Sequence, residues 1–93
     1  MGPSPVNIAP FLDGEGRVVQ LPKKQAKRQA VLAYLAGKFE PGRAYREKEV
    51  NELCQIWHTF NDYFLVRRSL VDAGLLLREP DGSRYWRDPD QVT

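Results

Sequence analysis

Asp62-Tyr63-Phe64-Leu65-Val66-Arg67-Arg68-Ser69-Leu70-Val71-Asp72-Ala73-Gly74 runs directly into Leu75-Leu76-Leu77-Arg78-Glu79-Pro80-Asp81-Gly82-Ser83-Arg84-Tyr85-Trp86-Arg87. In the first half, apolar Val66, Leu70 and Ala73 recur at i, i+4 and i+7, the spacing of a helix, and Gly74 stands where a left-handed residue ends one. In the second, apolar or aromatic runs flank Pro80-Asp81-Gly82-Ser83, a hairpin signature. A short helix feeding a β-hairpin is how a winged helix-turn-helix ends, and that points to nucleic-acid or protein binding ahead of catalysis.

Working back toward the N-terminus, His58-Thr59-Phe60-Asn61 forms a turn, with Asn61 or Asp62 as helix cap. Val50, Leu53, Cys54 and Trp57 lie at i, i+3, i+4 and i+7, so a second helix is expected over about 47–57, with Glu47 and Glu49 favourably placed at its positive end. Arg46 is a poor cap for it. Ala44-Tyr45 fits a very short strand, and Glu40-Pro41-Gly42 breaks the chain before it. A first helix is expected from Pro22 or Lys23 to Lys38, rich in good helix formers, with Val31, Tyr34, Leu35 and Phe39 facing inward. Phe11-Leu12 and residues 17–21 flank Asp13-Gly14-Glu15-Gly16 as a small hairpin or two short extended pieces. Residues 1–9 form a flexible arm, 10–88 a single domain and 89–93 a loose acidic tail.

Ninety-three residues, 42% of them hydrophobic and ten aromatic, suffice for one small core. No run approaches the roughly 18 apolar residues of a membrane span. Met1 to Pro10 lacks the basic and apolar blocks of a secretory leader, so a cytoplasmic protein is expected. The single cysteine excludes an internal disulfide. Cys54 and His58 are four apart, but two candidate ligands without a third make no zinc site, and packing is the simpler role.

Net charge is +2 but unevenly spread. Between Arg17 and Arg46 eight basic residues (Arg17, Lys23, Lys24, Lys27, Arg28, Lys38, Arg43, Arg46) face one acidic residue, Glu40, giving +7 against −5 for the remainder. Such a local field suits an anionic partner. Lys23, Lys24, Lys27 and Arg28 crowd the electropositive start of the first helix, where cations are unfavourable by a few tenths of a kcal/mol each. They are either a solvated surface or a phosphate-contacting patch.

Laid out this way, the chain resembles the uncharacterised bacterial family numbered 2087 among domains of unknown function. The resemblance rests on Phe11-Leu12-Asp13, Leu21-Pro22, Lys27-Arg28, Val31-Leu32-Ala33-Tyr34-Leu35, Phe39-Glu40-Pro41-Gly42, Tyr45 and Glu49-Val50-Asn51. It continues through Trp57-His58, Arg67-Arg68-Ser69-Leu70-Val71-Asp72, Gly74-Leu75-Leu76 and Gly82-Ser83-Arg84-Tyr85-Trp86. It implies a winged-helix-like domain found alone or behind a DNA-binding domain in proteins regarded as transcription regulators. The chain departs from the family pattern at Arg46, where a small hydroxyl residue is usual, and at Phe64-Leu65, where smaller residues stand. The second departure exposes an apolar Leu65 and marks a contact surface. Fold alone does not fix function.

The expectation is therefore an α+β winged helix-turn-helix with three helices, a C-terminal β-hairpin wing and a short N-terminal β-hairpin. Its expected function is non-catalytic DNA binding in a bacterial transcription regulator or accessory module, on double-stranded DNA. Lys23, Lys24, Lys27 and Arg28 would contact phosphate, Arg67, Arg68 and Ser69 would face the groove, and Arg84 and Arg87 would touch the backbone from the wing. The competing readings are pairing of Arg68 with Asp72, four residues on, and pairing of wing arginines such as Arg78 with facing acids. The alternative function is a protein-interaction or dimerisation domain, binding a second copy or a partner regulator through Phe64, Leu65 and the hairpin aromatics Tyr85 or Trp86. Cations of the first helix, third helix and wing on one face would favour DNA. Scattered cations around an exposed Leu65 would favour a protein partner. His58 reads as a cap at the end of the second helix. No phosphate loop, nucleophile elbow or paired-carboxylate motif is present, so no enzyme, cofactor or metal is expected.

Overall fold

The computed structural model describes residues 7–87; residues 1–6 of the expected arm and the expected tail at 89–93 lie outside the described residues. Among the described residues the chain is α+β, with three helices and one small antiparallel sheet. Its elements are α1 (Gln25–Ala36), β1 (Ala44–Tyr45), α2 (Glu47–Ile56), α3 (Tyr63–Asp72), β2 (Leu77–Arg78) and β3 (Tyr85–Trp86), after one 3-10 turn at Ala9–Phe11.

Helix α1 begins later than its composition suggests. Pro22 is buried ahead of it, and Lys24 is the N-cap in extended conformation, φ −68° and ψ 132°, with no side-chain cap bond. Lys23 and Lys24 therefore precede the helix, and only Lys27 and Arg28 fall within its first four residues. Helix α2 starts at Glu47, and the missing cap at Arg46 is relieved by Glu49, whose carboxylate accepts the Arg46 N–H at 2.9 Å. Helix α3 is closed at both ends by local chemistry. Asp62 Oδ1 accepts the Leu65 N–H at 3.0 Å. At the other end Gly74 N–H donates to the Val71 carbonyl and Leu75 N–H to that of Leu70, both at 3.0 Å. This paired arrangement needs a left-handed residue, and Gly74 has φ +75°.

The chain then enters the sheet, whose order is β1-β3-β2. Tyr85 of central β3 lies opposite Tyr45 and Arg78, and Trp86 opposite Ala44 and Leu77. Successive strand residues face opposite sides; here Tyr85 turns into the core while Trp86 stays half-buried. At the hairpin tip Gly82 has φ +76° and donates its N–H to the Glu79 carbonyl at 2.9 Å.

Val31 and Leu35 from α1, Val50 and Cys54 from α2, Val66 and Leu70 from α3, and Leu76 and Tyr85 from the hairpin form one core. Fully burying each Val or Leu is favourable by about 1.5–3 kcal/mol. Ile8 packs against this core, so the packed chain starts inside the arm expected over 1–9. The expected N-terminal hairpin is present in minimal form: Leu12 bridges Val18, flanked by the Asp13 N–H to the Arg17 carbonyl at 2.9 Å and the Val19 N–H to the Phe11 carbonyl at 2.8 Å. Val18 spends its backbone elsewhere: its N–H donates to the Trp57 carbonyl at 2.8 Å, and its carbonyl accepts the Thr59 N–H at 3.0 Å. The N-terminal segment thus braces the turn between α2 and α3.

Candidate nucleic-acid interface

Lys23, Lys24 and Lys27 are exposed and have no hydrogen-bond or ion-pair partner among the described residues. Arg28, one residue further on, behaves differently. It is half-buried, and its Nη2 donates to Ser69 Oγ at 3.0 Å, tying α1 to α3. Ser69 is only 5% exposed, which corrects its expected place in the groove. Val66, Ser69, Leu70 and Ala73 share one helical stripe at i, i+3, i+4 and i+7, so the phase of α3 turns the serine inward.

Arg67 is also corrected. Its side chain is 12% exposed and pairs with Glu47 Oε1 at 3.0 Å, while the same nitrogen donates to Asn51 Oδ1. The guanidinium lies 5.0 Å from the Phe64 ring centre and 6.0 Å from that of Tyr85. It joins α2, α3 and β3, and does not project from α3 into solvent. Arg68 does project. It makes the competing pair with Asp72, at 3.8 Å with both side chains well exposed, a contact worth only about 0–1 kcal/mol. Arg68 therefore remains available to a phosphate.

On the hairpin the ion pair expected for Arg78 forms at Arg84 instead, whose Nη2 lies 3.0 Å from Glu79 Oε1. Arg78 donates to the carbonyls of Glu79 and Pro80. Arg87 is not a free wing cation: its Nη1 donates to the Phe39 carbonyl at 3.3 Å, fastening the end of β3 to the turn after α1. Of the expected apolar contact residues, Phe64 and Leu65 are 53% and 39% exposed, beside exposed Tyr63. Tyr85 leaves that set, since it is 2% exposed and seals the hairpin onto the helices. Trp86 borders a shallow depression with Gly42, Ala44, Glu79 and Arg84.

Two depressions flank α3. One lies toward α1 and is bordered by Gln25, Arg28, Ser69 and Asp72. The other lies toward the hairpin and is bordered by Phe64, Arg67, Arg68, Asp72, Arg78 and Tyr85. Asp72 borders both, so the start of α1, the outer side of α3 and β2 make one continuous surface. Arg78, left out of the expected contact set, belongs to it. Its register opposite Tyr85 carried that information once Tyr85 was assigned to the core.

His58 is buried and caps as expected, its Nδ1 bonding the Cys54 carbonyl near the end of α2. It does more than cap one helix. Its Nε2 accepts the Asp62 N–H at 2.7 Å, so one imidazole fixes both sides of the turn. Burial pushes the Cys54 thiol up to about 12, against the opposing charge of Arg67. A thiol protonated to that degree is a packing group rather than a nucleophile. Among the described residues no three His, Cys, Asp or Glu side chains gather to hold a metal, and no helix is long and apolar enough to cross a membrane.

Together these elements define a small α+β domain of three helices and a three-stranded antiparallel sheet among the described residues. Residues 17–87 match the family model described as "Uncharacterized protein conserved in bacteria (DUF2087)", and the chain belongs to that family. No curated protein and no solved structure matches it.

Proposed function

We propose that this chain is a winged helix-turn-helix domain that binds double-stranded DNA, chiefly through its phosphates, as a bacterial regulator or accessory module. The element order supports the fold reading: α2 and α3 stand as the helix-turn-helix, and β2–β3 with β1 as the wing. The observation that carries the DNA reading is the placement of α3 between the start of α1 and the hairpin, with Asp72 common to both flanks. Lys23 and Lys24 stand just ahead of α1 and Lys27 lies in its first turn, while Arg68 and Arg78 border the depression on the other flank of α3. Lysines free of partners lose little on meeting a phosphate, and exposed Arg68 gives up only a weak pair. Base reading is confined to Arg68 and the apolar start of α3, since Ser69 is buried and Arg67 is held back at the α2–α3 junction by Glu47 and Asn51. Binding of low sequence specificity follows.

Exposed Tyr63, Phe64 and Leu65, with Ile56 at 58% exposure nearby in sequence on α2, favour a second reading, contact with a protein partner or a second copy. Fluorescence anisotropy of random duplex DNA at about 50 and 200 mM salt separates the two. Micromolar binding that weakens steeply with salt and survives Phe64→Ser supports DNA. No binding at the lower salt removes the DNA reading and leaves the partner reading in its place.

A further inference from the structure

The depression between α3 and the hairpin has features that a solvated surface does not need. It is an open depression of about 290 Å³. Three guanidinium groups border it, those of Arg67, Arg68 and Arg78, and one carboxylate, Asp72. Arg67 is held from behind by Glu47 and Asn51, which use only its Nη1. Its Nε and Nη2 have no partner among the described residues, and neither does Nη1 of Arg78. The Tyr85 ring is buried beneath these cations, 5.8 Å from the Arg78 guanidinium carbon. The Tyr85 hydroxyl likewise has no hydrogen-bond partner among the described residues, although 98% of that residue is shielded from solvent.

From these donors we infer that the depression is a seat for one phosphate group. Tetrahedral oxygens accept from Nε and Nη2 of Arg67 and from Nη1 of Arg78 in charge-assisted bonds, with the Tyr85 hydroxyl as a third, neutral donor. Arg67 is pre-positioned by α2 and loses little freedom on binding. Asp72 opposes the anion and is drawn off by its own pair with Arg68. The seat stands on these residues alone and does not require the duplex reading.

Inorganic phosphate titrated into the full chain, against sodium chloride at equal ionic strength, tests the seat by NMR of backbone amides and arginine side chains. The expected result is saturable shifts centred on Phe64, Arg67, Arg78 and Tyr85 that chloride does not produce. Arg78→Gln and Tyr85→Phe, which keep the fold by circular dichroism, each weaken phosphate about tenfold, and Asp72→Asn tightens it. Shifts that never saturate, that persist unchanged in both variants, or that centre on Lys23 to Lys27 overturn the seat. The same variants identify the source of the phosphate. If they also weaken duplex binding, a DNA backbone phosphate occupies the seat; if duplex affinity is unchanged, a small phosphorylated ligand does. Absence of any duplex binding removes the DNA proposal and leaves the phosphate titration fully readable.

Discussion

The lysines around the start of α1 and the arginines at the junctions between elements carry the same charge and meet different fates. Lys23, Lys24 and Lys27 stand in water without partners among the described residues. Arg28, Arg67 and Arg87 each reach a group far away in the chain: Ser69, 41 residues on, Asn51, 16 back, and the Phe39 carbonyl, 48 back. The arginines are joints between elements, and the lysines are surface. A planar fork with five donors can satisfy several acceptors at a helix junction, whereas a lysine head is a strongly hydrated point charge. Formal charge counted along the sequence therefore overstates what the arginines can offer a partner.

Arg67→Ala breaks that contrast most severely. It strands Asn51 and Glu47 and opens the α2–α3 junction, and a loss of about 2–3 kcal/mol in urea unfolding is expected. Arg28→Ala leaves the buried Ser69 hydroxyl without its donor and costs about 1–2 kcal/mol in the same measurement. Replacing Lys23, Lys24 and Lys27 together by alanine changes stability by no more than about 0.5 kcal/mol per site. The same triple variant makes the salt dependence of duplex binding shallower by about 2–3 in log–log slope. If instead the lysine variant unfolds and Arg67→Ala does not, the division between joints and surface is wrong.

A smaller effect is expected in acid. The Asp13 carboxyl is held below its usual 3.8 chiefly by the Arg17 backbone N–H, and that of Asp81 by Ser83. A carboxylate lowered in the folded state stabilises the fold above its unfolded value, and that contribution is lost as pH falls through the folded one. Both loops should therefore loosen only below the ordinary carboxylate range, as carboxyl NMR shifts against pH will register. Asp13→Asn and Asp81→Asn abolish that acid-dependent step if these residues carry it.

The second and third helices were readable because their signals are local: apolar spacing from Val50 to Trp57, the Asp62 cap, and Gly74 at the exit. The strand at Ala44-Tyr45 and the hairpin came from equally short-range cues. What stayed hidden depends on contacts across the chain. Serine is usually exposed, and Ser69 is buried because Arg28 supplies its hydrogen bond. Arg67 looked like a groove-facing cation because its partners belong to another helix. Pro22 reads as a helix start by composition, yet its buried ring anchors the chain ahead of α1. Val18 sits in the hairpin as read, yet its other edge is taken by the turn at Trp57 to Thr59. For the candidate site, the lysines were legible as free charge, whereas the depression between α3 and the hairpin exists only once Tyr85 is known to point inward.

Gly74 sets the direction in which the hairpin leaves α3, and it does so through chirality. Nothing lies within 4 Å of where a side-chain carbon would sit, so the only objection to another residue there is its handedness. An L-alanine strains the backbone at φ +75°, whereas a D-alanine introduced by chemical synthesis adopts that angle naturally. The mirror-image residue restricts the unfolded chain without touching a native contact, and should stabilise the domain by about 0.4–1 kcal/mol. A single inverted stereocentre would then make the hinge between helix and hairpin stiffer than the genetic code allows.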